Sequence, residues 1–266
     1  MKTDTHRLVL LDPGRQNTDP TIGELFAGGH GTVAPVVLDP LSSVDPRAFR
    51  NLPERVAEHV AWLGAADGVA NVLIAHCMNS VLAGELAAAM TDSGFGPTRL
   101  VLFDPFLVDH EVITDQTAEL FAGLGEPRPE ARLSAQRIWG AARPVEHALA
   151  SAQQDLRKFA LHRAAAFDLD EDEVEAFADQ LTDRYARWLS HLASQFDAEI
   201  TPAKTPIDLV VRDTAGDHTA VLAWGGPIRV HSYPEPVGFD TPGLRELLRE
   251  ILTGAAPSRY EITGER

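Results

Sequence analysis

Residues 72–84, Val-Leu-Ile-Ala-His-Cys-Met-Asn-Ser-Val-Leu-Ala-Gly, constrain this chain more than any other stretch. An apolar, β-type run over Val72–Ala75 meets a tight turn, and an Ala- and Leu-rich helical pattern begins at once. Strand, sharp turn and helix together form the device that holds a nucleophile on an exposed, strained corner, usually written G-x-S-x-G. Ala75, His76, Cys77, Met78 and Asn79 stand in those five places. The shape of the motif is kept, while both glycines and the serine are replaced. Two readings follow. Cys77 is a cysteine nucleophile, or the corner belongs to a fold that has given up its original chemistry.

The rest of the chain repeats the strand half of this pattern. Leu8–Leu11 ends in Asp12-Pro13-Gly14, Val33–Leu38 in Asp39-Pro40, and Leu100–Phe103 in Asp104-Pro105. Helical spacing lies between them. Phe49, Leu52, Val56, Val60 and Leu63 predict a helix over 46–65, with Asp45 as its N-cap and Pro46 in its first turn, and Val81–Met90 predicts another. Continuous apolar strands alternating with helices predict a parallel sheet buried on both faces. Right-handed crossovers place Asp12, Asp39, Cys77 and Asp104 along one edge, where open α/β sheets bind ligands.

After Pro105 the strand signal stops until residue 200. Helical stretches are expected near 112–124, 130–140, 144–166 and 171–196, with an apolar stripe of Val174, Phe177, Leu181, Tyr185, Trp188 and Leu192 on the last. The acidic run 168–173 suits a helix start and lacks the glycine and spacing of a calcium loop, so no metal site is expected. Strands return at Ile207–Val211 and from Ile228 through His231 and Tyr233. Leu244–Leu252 reads as a closing helix, and the tail from Gly254 as frayed. The expectation is a single α/β domain over 1–266, with residues 106–200 inserted as a helical lid over the sheet edge.

Composition narrows the function. The net charge of −16 argues against nucleic acid and anionic membranes as partners. No apolar run of about 18 residues predicts a membrane span. The N-terminus carries no signal-peptide pattern. Cys77 is the single cysteine, which excludes an internal disulfide and a Cys-rich metal site and suits a reducing cytoplasm. No G-x-G-x-x-G follows the first strand, so a dinucleotide cofactor is not expected.

These residues together resemble the α/β-hydrolase thioesterases of polyketide and nonribosomal peptide assembly lines. The resemblance is carried by the corner at Ala75–Asn79 and by Leu100–Asp104, whose acid lies 27 residues after Cys77. It is carried also by the helical insertion and by Ile207–Val211, Trp224 and Arg229–Tyr233. It covers most of the chain, with degraded motifs. It implies an α/β-hydrolase-like fold, mainly a parallel sheet flanked by helices, in which Cys77 is acylated and Asp104 orients or tunes a base. The implied oxyanion donors are the Met78 backbone N–H and a second near Gly14 or Arg15. A helix N-terminus at Cys77 is expected to stabilise a thiolate. His76 and Asn79 are candidate substrate contacts.

The family places its histidine in a Gly-Asp-His-Phe-like segment after the last strand. The matching segment, Tyr233–Asp240, holds none, although Glu235 and Asp240 lie there. His218 (in Gly216-Asp217-His218), His231 and His110 are the candidate replacements. The implied substrate is an acyl or peptidyl thioester on the phosphopantetheine arm of a carrier protein, with no cofactor of the chain's own. Hydrolysis, acyl transfer and cyclisation all fit. The alternative is a catalytically inactive protein of the same fold that binds an acyl group, a carrier domain or another partner. A lipase or esterase for free small esters ranks below both, because the acid sits on the assembly-line strand.

Overall fold

The computed structural model describes residues 8–12, 23, 26, 35–46, 48–65, 72–140, 144–167, 169–212, 224–233, 242–254 and 260–263. They fall into two compact units. One comprises residues 1–42, 52–107 and 199–266, the other 43–51 and 108–198.

The first unit is built on a sheet in the order β2-β1-β3-β4-β5-β6-β7. The strands are β1 (Leu8–Leu11), β2 (Val36–Leu38), β3 (Val72–His76), β4 (Arg99–Phe103), β5 (Ile207–Arg212), β6 (Pro227–Tyr233) and β7 (Tyr260–Thr263). Neighbours from β2 to β6 are parallel, and β7 runs antiparallel to β6. The helices of this unit are α1 (Leu52–Ala65), α2 (Ser80–Asp92) and α7 (Pro242–Thr253). One face of the sheet, with Leu10, Ile74, Val101, Phe103, Val210 and Tyr233, packs against Leu244, Leu248 and Ile251 of α7. The alternate residues Val9, Leu73, Ala75, Leu100, Leu102 and Leu209 are equally buried. Burial on both faces is why these strands read as continuous apolar runs.

Two expectations are corrected. α1 begins at Leu52, not at residue 46. A helix from 46 would carry Pro53 in its interior, where the missing N–H breaks the ladder; from Leu52, Pro53 falls in the first turn, where no N–H is needed. The tail is not simply frayed, because Tyr260–Thr263 pairs with Pro227–Val230 as β7. It supplies the ladder that the open edge of β6 needs.

The face that receives α7 also buries charge. The register sets Val101 beside Asp208 and Asp208 beside Arg229. Asp208 is fully buried and accepts from Arg229 Nη2 at 3.0 Å, lies 3.0 Å from Arg229 Nε and 3.4 Å from Arg99 Nε, and pairs with His231 Nε2 at 2.8 Å. Arg99 also donates to the Ile251 carbonyl of α7. A carboxylate buried in a sheet needs such partners to remain there.

The second unit holds α3 (His110–Gly123), α4 (Arg128–Trp139), α5 (Val145–Ala164) and α6 (Glu171–Gln195). Its acidic run is a helix start. Asp170 accepts from the Glu173 N–H at 2.9 Å, and the Glu173 carboxylate accepts from the Asp170 N–H at 3.0 Å, a reciprocal capping box. Asp168 lies outside the described residues. An open groove of about 710 Å³ on this unit is lined by Gln153, Arg157, Lys158, Asp179, Thr182 and Asp183 among others.

His59 on α1 yields a test. It is buried, its Nε2 has no hydrogen-bond partner, and burial followed by the nearby Arg55 charge lowers its pKa from 6.5 to about 4. The unfolded chain therefore takes up this proton near 6.5 and the folded chain only near 4. Its stability contribution is complete above pH 6.5 and is lost as pH falls from 6.5 towards 4. Urea unfolding should lose roughly 2 kcal/mol through this residue between pH 7 and 5. His59→Phe should remove that part of the slope; an unchanged slope would show that His59 is already charged in the fold.

Candidate active site

β3 delivers Cys77 to the sheet edge. His76 ends the strand with extended backbone (φ −127°, ψ 140°), and Cys77 then turns at φ 53° into a 3-10 turn, Cys77–Asn79, that runs into α2. Only Cys77, Asp104 and Asp197 among the described non-glycine residues have positive φ. A side chain in the left-handed region costs about 1 kcal/mol or more, and such residues gather at functional corners. Cys77 and Asp104 end adjacent parallel strands, so two strained residues share one edge.

The turn is secured by its own polar groups. Asn79, in place of the second motif glycine, is buried and donates Nδ2 to the His76 carbonyl at 3.4 Å. The Ser80 hydroxyl, fully buried, donates to the Cys77 carbonyl at 2.6 Å. Both side chains tie the corner together.

Cys77 itself is partly buried. Burial, the largest cause, pushes its thiol pKa up from 9.0, and Asp104 pushes the same way; the Met78 backbone N–H and the Arg212 charge pull it down. Desolvation thus works against the thiolate that the helix start is expected to stabilise. Met78 N–H reaches the Cys77 sulfur, which places a donor beside the atom that would attack. His76 is held neutral at pH 7. Burial lowers its pKa from 6.5 to about 4, opposed by Asp104 and Asp12 and assisted by Arg212.

Asp104 has unexpected partners. Its N–H continues the ladder to the Val210 carbonyl at 2.9 Å. Its Oδ1 accepts from the Arg212 N–H at 3.0 Å, and its Oδ2 from Arg212 Nε at 2.9 Å and the Tyr233 hydroxyl at 2.5 Å. Arg212 and Tyr233 are the last residues of β5 and β6 and are register partners, so both side chains arrive on the same face. No described histidine bonds to this carboxylate. Burial and the Asp104 carboxylate together push the Tyr233 pKa up, so the phenol stays protonated and donates. Neither residue stands out in the sequence as part of a site. The signal available was that each closes its strand, level with the other.

The remaining candidates lie elsewhere. His231 is engaged with Asp208 inside the sheet, not with Asp104. His110 is the exposed first residue of α3, in the second unit. Gly14, Arg15, His218, Glu235 and Asp240 lie outside the described residues. Among the described residues no cluster of three or more His, Cys, Asp and Glu side chains is gathered as a metal site would require.

Solved structures resemble the chain over almost its whole length. RedJ, a thioesterase from the prodiginine biosynthetic pathway in Streptomyces coelicolor, has a TM-score of 0.51 at 15% identity, covering 94% of this chain and 90% of its own. YbtT, a type II thioesterase from the yersiniabactin NRPS/PKS biosynthetic pathway, has a TM-score of 0.51 at 14% identity over 97% and 96%. The Vlm2 thioesterase domain, in a form carrying 2,3-diaminopropionic acid bound with a dodecadepsipeptide, has a TM-score of 0.51 at 18% identity over 95% of each. No protein-family model matches the chain, and no curated protein does either. With the parallel sheet and the strained corner after β3, these likenesses establish an α/β-hydrolase fold. RedJ, YbtT and the Vlm2 domain are each described as thioesterases, the first two from biosynthetic pathways.

The strain at Cys77 can be measured. Cys77→Gly and Cys77→Ala both remove the thiol, but only glycine adopts φ 53° freely. The glycine variant should be more stable to urea than the alanine variant by about 1 kcal/mol. Equal stabilities would mean that the corner is not strained.

Proposed function

We propose that the chain is a thioesterase-like enzyme that takes an acyl or peptidyl group from a carrier-bound thioester onto Cys77, in secondary-metabolite biosynthesis. The observation that carries this is Cys77 at φ 53° between β3 and α2, the strained corner on which this fold mounts its nucleophile. The Cys77 sulfur attacks the thioester carbonyl. A carbon–sulfur bond forms to Cys77, the carbon–sulfur bond to the phosphopantetheine arm breaks, and the Cys77 proton leaves on the departing thiol. One thioester replaces another, so the exchange is close to energetically neutral. The acyl-enzyme keeps its reactivity towards water, amines and hydroxyls, and hydrolysis, transfer and cyclisation all remain open to it.

In this reading Met78 supplies one oxyanion donor and the segment at Gly14 and Arg15 the second. His76 and Asn79 line the corner, and His218 stands as the candidate base among the residues not described. The helical insertion, residues 106–200, is read here as the lid. The partners are an acyl or peptidyl carrier protein and its small acyl cargo, and the place of action is the cytoplasm.

A second reading, a protein of this fold that binds an acyl group or a carrier protein without turnover, draws on two observations. The Cys77 thiol is held protonated, and among the described residues the Asp104 carboxylate is bonded by Arg212 and Tyr233.

Intact-protein mass after incubation with a panel of acyl-pantetheine thioesters separates the two. An acyl adduct is expected on the wild type and not on Cys77→Ala. Neither adduct nor product from any thioester would leave the binding reading standing.

A further inference from the structure

We propose that Arg212 and Tyr233 are positioning residues which hold Asp104 as a fixed ion pair at the ends of β4, β5 and β6, and that this pair sets how readily Cys77 reacts. The proposal rests on the reading of Cys77 as the acyl-accepting thiol.

Geometry carries the argument. Asp104 turns at φ 40°, and its carboxylate meets the last residues of the next two strands. Three donors from two residues occupy its oxygens, at 3.0, 2.9 and 2.5 Å. Bonding to both the main chain and the side chain of Arg212 fixes the carboxylate in position and orientation. The Asp104 side chain is 11% exposed and that of Arg212 45%, so the pair presents a cation towards solvent and keeps its anion within. Tyr233 closes the inner side.

This arrangement predicts opposed effects on Cys77. The Asp104 charge disfavours the thiolate and the Arg212 charge favours it. Among the described residues, the other charged or titratable groups whose fields meet at this edge are Asp12 and His76, and His76 is neutral at pH 7. Where an acid orients a base, its removal slows the nucleophile. Here its removal should speed it.

Cys77 is the single cysteine, so iodoacetamide alkylation of the full-length protein, followed by intact mass from pH 6.5 to 10, reads it alone. Asp104→Asn should raise the alkylation rate at pH 8 by about 3- to 10-fold, because rate follows thiolate fraction. Arg212→Gln should lower it by a similar factor, and Arg212→Lys, which keeps the charge, should recover most of the wild-type rate. Tyr233→Phe should move the profile in the direction of Arg212→Gln by a smaller amount, since the ion pair remains. Circular dichroism of each variant establishes that it is folded. A slowing of tenfold or more in folded Asp104→Asn, or profiles superimposable on wild type in all variants, would overturn the proposal. Alkylation does not need a thioester substrate. Opposed shifts without any acyl adduct would therefore sustain the ion-pair role and remove the thioesterase reading, while an adduct with superimposable profiles would do the reverse.

Discussion

The corner after β3 and the corner after β4 impose the same demand, a residue with a side chain in the left-handed region. After β3 and after β4 the chain leaves the ladder through a residue with positive φ. Glycine would make that turn without cost. Cys77 and Asp104 make it with strain, and the surroundings hold them there: Ser80 and Asn79 bond the carbonyls around the first corner, Arg212 and Tyr233 the carboxylate at the second. Their strands are adjacent, so the two costs meet at one place. The chemistry open to this chain follows from that meeting.

Electrostatics then decides which chemistry. A carboxylate bonded to an imidazole can orient a base. A carboxylate bonded to a guanidinium and a phenol is neutralised in place. Cys77, with its thiol pKa raised by burial, suits exchange with another thiol, where the proton passes from the attacking to the departing sulfur. It suits water activation less, since that step needs a base. The low pKa of His76, about 4, keeps the imidazole beside Cys77 uncharged under neutral conditions. Among the described residues the edge thus holds the Asp104–Arg212 ion pair, the Asp12 carboxylate, a neutral imidazole and a neutral thiol.

Much of the fold was legible in the sequence because its signals are local. Apolar runs ending in Asp-Pro or Cys mark strands whose both faces are covered, and the long helical stripes of 144–166 and 171–196 need no tertiary information. Pro53 was also a local signal, and it outranks the apolar spacing that suggested an earlier helix start. The site was legible only in part. Cys77 and Asp104 announce themselves by following apolar strands. Arg212 and Tyr233 become partners only through the register of β5 against β6 and the direction that Asp104 takes after its turn, neither of which a single strand reveals. His231 misleads for the same reason. Nothing next to it in sequence shows that Asp208, on the neighbouring strand, lies 2.8 Å away.

The central claim is that Cys77 is the reacting atom and that Asp104 belongs to Arg212 and Tyr233. A crystal structure of the protein treated with a chloroacetyl-pantetheine amide, which leaves a pantetheine-bearing mimic of the acyl chain on a reactive cysteine, tests both halves at once. The account predicts continuous density from the Cys77 sulfur, with Arg212 and Tyr233 still on the Asp104 carboxylate. A histidine seated between Asp104 and Cys77, with the Tyr233 hydroxyl displaced, would contradict it, as would a Cys77 left unmodified.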